Sequence, residues 1–131
     1  MPLTVKSLDH VTLVVKDLAR TREFYVGVLG MRHVPRPNFS FAGDWYQAGD
    51  TQIHIILEAE STGPAGTGQE PHSRGRHFAF LVENAEAAHR QLLEHGIAIV
   101  SPPKLRPDGA VQVFIHDPDG HLVELCSPAA K

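Results

Sequence analysis

The sequence predicts an α+β domain built from two βαβββ modules whose strands form a cupped mixed sheet. Three observations carry that prediction. Residues 10–34, HVTLVVKDLARTREFYVGVLGMRHV, run parallel to residues 77–100, HFAFLVENAEAAHRQLLEHGIAIV, so one supersecondary unit is written twice. Each copy passes from the alternation of a strand to the spacing of a helix. Each is then followed by short apolar runs separated by turn residues, which read as three more strands. At 131 residues the chain has the length of one domain. Module one falls at about 7–60, a connector at 61–75 and module two at about 76–127.

The first copy opens with the run His10 to Val15, passes through the polar pair Lys16-Asp17 and enters a helix of about three turns. Asp17 is placed as N-cap, because a short side-chain oxygen can accept from the amides that the first turn leaves free. Leu18, Tyr25, Val28 and Leu29 form the core stripe, and Gly30 supplies the left-handed residue that closes the helix. Strands follow at about 31–36, 40–47 and 51–58, the last two joined by Ala48-Gly49-Asp50. The segment 61–75, rich in Gly, Pro and Ser, reads as the connector. The second copy repeats the order: a strand from His77, the pair Glu83-Asn84 with Asn84 as N-cap, and a helix with Ala85, Ala88 and Leu92 inward. Gly96 closes that helix, and strands follow at about 97–100, 110–116 and 121–126, the last two joined by Asp117-Pro118-Asp119-Gly120.

Composition narrows the function classes. Hydrophobic content of 42% with 21% charged residues is that of a packed globular chain. The single cysteine, Cys126, excludes an internal disulfide and fits a reducing, cytoplasmic setting. No apolar run approaches the ~20 residues that cross a bilayer, and the N-terminal stretch lacks the apolar core of a signal peptide. A soluble, unexported protein is expected. With a net charge of −3 and scattered Lys and Arg, neither nucleic acid nor membrane is expected as a partner. Nine histidines stand out, because imidazole is the commonest transition-metal ligand.

Strand alternation assigns the faces, since side chains two apart point the same way. In the first strand Val11, Leu13 and Val15 take the helix side, leaving His10, Thr12 and Val14 opposite. In the fifth, Phe78, Phe80 and Val82 face the helix, and His77, Ala79 and Leu81 oppose them. Ile53, Ile55 and Leu57 pack inward, so Gln52, His54, Ile56 and Glu58 share the other face. Aligning GDTQIH (49–54) with DGHLVE (119–124) sets Glu124 at the position of His54. Each module therefore contributes one candidate ligand from its first strand and one from its last: His10, His54, His77 and Glu124. Three imidazoles and a carboxylate suit one divalent ion such as zinc, nickel, iron or manganese, and the set is too rich in nitrogen for calcium. The remaining histidines, His33, His72, His89, His95, His116 and His121, read as solvated polar residues, and Cys126 as a small apolar one on the face of Glu124.

The segments DHVTLVVKDLARTREFYVGVLGM (9–31) and FIHDPDGHLVELC (114–126) strongly resemble the vicinal oxygen chelate superfamily, which includes glyoxalase I, fosfomycin-resistance thiol transferases, methylmalonyl-CoA epimerase, extradiol dioxygenases and bleomycin-resistance proteins. The resemblance covers about residues 8–127 and implies the glyoxalase-like fold. Residue by residue, it puts the metal positions on His10, His54, His77 and Glu124. It also implies a homodimer with sites shared between subunits, and a metal that binds two adjacent substrate oxygens and stabilises the anion that forms. Two departures from glyoxalase I argue against lactoylglutathione as substrate. Val14 and Glu58 stand where that enzyme typically carries an arginine and an asparagine that hold glutathione.

The expected function is a metal-dependent lyase or isomerase acting on a small oxygenated substrate. Glu124 is the expected ligand and proton-transfer base. Three neutral imidazoles and one carboxylate leave a divalent ion with a formal charge of +1, which favours an anionic substrate or intermediate. Thr12, Gln52, Phe39 and Trp45 are the candidate substrate contacts. Two rival classes are an iron-dependent extradiol-type dioxygenase, which needs only two histidines and one carboxylate, and a metal-free small-molecule binding or resistance protein.

Overall fold

The computed structural model describes residues 3–66 and 74–129. It contains both expected βαβββ modules, as two compact units that divide between residues 65 and 66. Most of the connector, 67–73 with its His72, lies outside the described residues.

In the first unit β1 (His10–Val15) leads into α1 (Leu18–Arg22), which continues without a break as a π-helical stretch over Glu23–Val28. The Asp17 side chain caps the helix by accepting from the Arg20 amide at 3.0 Å. Gly30 closes it in the left-handed region, with φ of 74°. Three strands follow: β2 (Arg32–Val34), β3 (Gly43–Ala48) and β4 (Thr51–Leu57). They form one sheet in the order β1-β4-β3-β2, with β1 parallel to β4 and the other pairs antiparallel. Val15, Ile53, Ile55 and Tyr46 are fully buried on the helix side. The helix buries Thr21, Phe24 and Tyr25, where the α-period of the sequence put Leu18, Val28 and Leu29 beside Tyr25. Thr21, Phe24 and Tyr25 stand at i, i+3 and i+4 on the same stripe as Leu18 and Val28, which stay half-buried. Gly27 leaves room in the π stretch, since a Cβ would meet the Glu23 carboxyl group at 2.9 Å.

The second unit repeats the plan with β5 (Phe78–Leu81), α2 (Ala85–Glu94), β6 (Ile99–Leu105), β7 (Val111–His116) and β8 (Leu122–Ser127), in the order β5-β8-β7-β6. Asn84 caps α2 by accepting from the Ala87 amide at 2.9 Å, and Gly96 ends it with φ of 73°. Ala85 and Leu92 are buried as the helical spacing requires. β2 and β3 are shorter than or shifted from the expected 31–36 and 40–47, and β6 differs most, running on through Pro102 and Pro103 to Leu105 instead of ending near residue 100. Prolines cannot donate to a ladder, but β6 is an edge strand, and its register against β7 shifts across the proline pair, between Ser101 and Lys104.

Candidate functional site

Strand pairing brings the four candidate ligands together two by two, one pair in each unit. In the first, β1 and β4 are parallel neighbours with His10 opposite Gln52 and Thr12 opposite His54. The His10 and His54 rings stack with centroids 4.0 Å apart and planes 18° from parallel. The other face of His54 is covered by Trp45, its partner on β3, at 4.0 Å and 3°. Phe39 lies beyond Trp45 at 6.2 Å. His54, Trp45 and Phe39 thus form a series of rings that starts at His10, with exposed Thr12 beside it.

Hydrogen bonds fix which nitrogen of each ring is committed. His10 Nδ1 faces Asp9 Oδ2 at 2.8 Å. His54 Nε2 faces Gln52 Oε1 at 2.8 Å, Gln52 Nε2 donates to Gln47 Oε1 at 2.9 Å, and Gln47 Nε2 donates to the Gly49 carbonyl at 2.7 Å. A carbonyl only accepts, so the Gly49 end sets the direction of the whole chain: His54 carries its hydrogen on Nε2 and keeps its lone pair on Nδ1. Burial, and then the neighbouring His10, push the His54 pKa below the ordinary histidine value, which favours the uncharged ring. Both polar atoms of the Gln52 amide are engaged within this chain. Gln47 was not among the residues singled out from the sequence. Its signal was the hairpin register, because the turn at Gly49-Asp50 places it directly across from Gln52.

In the second unit His77 Nδ1 lies 2.8 Å from the Gly75 carbonyl and Nε2 lies 3.0 Å from Glu124 Oε1. Gly75 can only accept, so Nδ1 carries a hydrogen, and Nε2 faces a carboxylate oxygen that also accepts. Two acceptors at this distance need a shared proton or a cation between them. A histidine whose far nitrogen is tied to a backbone carbonyl is also how metal-bound imidazoles are held. Imidazole and carboxylate are donors a divalent ion accepts, but among the described residues no group of three or more His, Cys, Asp or Glu comes together. Glu124 is only 5% exposed, and the His77 ring meets Phe114 edge-on at 5.2 Å.

Beside Glu124 stands Arg106, whose NH1 is 3.9 Å from Oε2 and donates to Cys126 Sγ at 3.5 Å, while NH2 pairs with Asp108 at 2.7 Å. The Cys126 thiol is pushed up from its usual pKa by burial and by Glu124, so it stays protonated at neutral pH. One other histidine, His121, departs from the solvated reading, while His33 is exposed. His121 is 5% exposed and its Nδ1 is 2.7 Å from Asp117, because that aspartate folds the turn back on itself by accepting from the amides of Asp119 and His121. His33 lies on β2 with Nε2 3.4 Å from Asp44, a buried carboxylate that also accepts from Arg22 and Tyr46.

The comparisons with known proteins agree with this architecture. The sequence model of the Glyoxalase/Bleomycin resistance protein/Dioxygenase superfamily matches residues 7–125. The chain is 32% identical over 131 residues to Glyoxylase I 4 of Arabidopsis thaliana, covering 96% of this chain and 73% of that protein. It is also 32% identical over 126 residues to the mitochondrial methylmalonyl-CoA epimerase of Bos taurus, covering 90% and 72%. A solved glyoxalase family protein from Bacillus anthracis shares the fold with a TM-score of 0.78 and 26% identity, over 98% of this chain and 99% of that one. A sequence match across both copies of the repeat and a fold shared over nearly the whole chain place this protein in the glyoxalase/bleomycin resistance protein/dioxygenase superfamily.

Proposed function

We propose that the chain is a metal-dependent lyase or isomerase of the glyoxalase-like type, acting on a small oxygenated, anionic substrate, with His10, His54, His77 and Glu124 holding one divalent ion. The observation that carries this reading is the paired geometry: in each unit the opening-strand histidine meets the closing-strand donor, with the rings already held in defined orientations. Sites shared between the subunits of a homodimer are part of the same proposal. When bound, a divalent ion supplies Lewis-acid polarisation of two neighbouring substrate oxygens.

The chain's own residues do the rest. His54 and His77 present one lone pair each, because the other ring nitrogen faces Gln52 or Gly75. Glu124, held close to His77 and nearly excluded from water, takes the substrate proton and returns it at the neighbouring position, as an isomerisation requires. Arg106, its NH2 paired with Asp108, stands 3.9 Å from that carboxylate. Val14 and Glu58 disfavour a glutathione adduct, as the sequence indicated.

Elemental analysis of protein purified without chelator tests the reading. Stoichiometric zinc, nickel, iron or manganese is expected, with His54→Ala and Glu124→Ala each lowering metal affinity tenfold or more, about 1.4 kcal/mol. His89→Ala, on α2, should leave it unchanged. Protein without metal, whose melting temperature none of these ions moves, would replace this reading with a metal-free binding module. Oxygen uptake with catechols by the iron-loaded protein would replace it with a dioxygenase.

A further inference from the structure

The series of rings does not stop at Trp45. Phe39 and Phe41, on the loop before β3, lie with ring centroids 5.0 Å apart and planes 21° from parallel, yet they remain 42% and 44% exposed. The Arg36 guanidinium sits 4.8 Å and 5.0 Å from the two rings, so cation and aromatics form one cluster. Its position is fixed twice: NH2 donates to the Phe41 carbonyl at 2.8 Å, and the side chain lies across Gly43, where a Cβ would come within 3.2 Å of Nε and NH2. Arg22 and Arg106 pair with Asp44 and Asp108, but among the described residues no carboxylate pairs with Arg36. Exposed aromatic rings and an unpaired, preorganised cation stand at one end of a ring series whose other end is the His10–His54 pair.

We infer that this rim binds a planar aromatic carboxylate, its ring against Phe39 and Phe41 and its charge on Arg36, so that the substrate of the proposed site is an aromatic acid. A flat ring adds to the existing faces at little entropic cost, and the carboxylate meets the fork of donors that a guanidinium offers. The inference deepens the proposed function, but the binding step needs no metal.

Trp45 is the only tryptophan in the chain, so its indole N–H gives a single cross-peak that reports directly on the rim. The experiment titrates metal-free protein with benzoate, with cyclohexanecarboxylate of equal charge, and with benzamide of equal shape. Benzoate should bind at least tenfold more tightly than either. Arg36→Gln should bring benzoate down to the level of benzamide, and Phe39→Leu with Phe41→Leu to the level of cyclohexanecarboxylate, with circular dichroism confirming that the variants fold. Equal affinity for the three probes, or variants that keep the preference, would overturn the inference. So would sedimentation showing that the Phe39→Leu, Phe41→Leu protein changes from dimer to monomer, which would make the rim a subunit contact. Because chelated protein is used, loss of the metal reading shows up in elemental analysis while the benzoate preference stays measurable.

Discussion

Replacing Gln52 with methionine keeps the volume of the side chain but removes both ends of the amide chain that orients His54. The structure sets the size of the effect. Gln52 Oε1 holds the His54 Nε2 hydrogen at 2.8 Å, and Gln52 is itself oriented through Gln47 by the Gly49 carbonyl. Without it the imidazole is free to carry its hydrogen on Nδ1, the nitrogen that the proposed metal site needs bare, and the ring loses a restraint on its rotation. Outer-shell partners of this kind are worth roughly tenfold to a hundredfold in metal affinity, or about 1.4 to 2.7 kcal/mol. Gln47→Met should cost less, since Gln52 can still reach His54 but is free to turn over. Zinc titration calorimetry on metal-free protein at neutral pH measures both, under conditions where the lowered His54 pKa weakens proton competition for the ring. Nitrogen-15 shifts of the ring give the tautomer independently. Wild-type zinc affinity in Gln52→Met, or a wild-type His54 with its hydrogen on Nδ1, would refute the reasoning.

Three further outcomes follow from buried or half-buried polar groups. The Thr21 hydroxyl is fully buried without a hydrogen-bond partner, so Thr21→Val should raise stability by about 1 kcal/mol in urea unfolding; a loss of stability would show that the hydroxyl has a partner after all. Asp44 accepts from both Arg22 and Tyr46, and Asp44→Asn should cost about 2 kcal/mol, less than for a fully buried pair because Arg22 is 43% exposed; a cost below half of that would mean water replaces the carboxylate. Because the Cys126 thiol pKa is raised, alkylation of the folded protein by iodoacetamide at pH 8 should run well below the rate of the urea-unfolded chain; equal rates would contradict the burial and the Glu124 proximity that raise it.

The primary structure by itself determined the architecture and the candidate ligands. Duplication is visible in the text, the caps Asp17 and Asn84 and the closing residues Gly30 and Gly96 are local chemistry, and a period of two assigns His10, His54, His77 and Glu124 to the faces away from the helices. All of these depend on neighbours a few residues apart. Tertiary structure decided what depends on neighbours far along the chain. Packing made Thr21 and Phe24 the buried residues of the first helix, because a count of apolar spacing passes over a threonine. Pairing of β3 with β4 tied Gln47 to Gln52 and chose the His54 nitrogen, and the fold of unit two brought Arg106 against Glu124 from 18 positions away. Side-chain hydrogen bonds have no period, so only the placed strands reveal which lone pair faces the site.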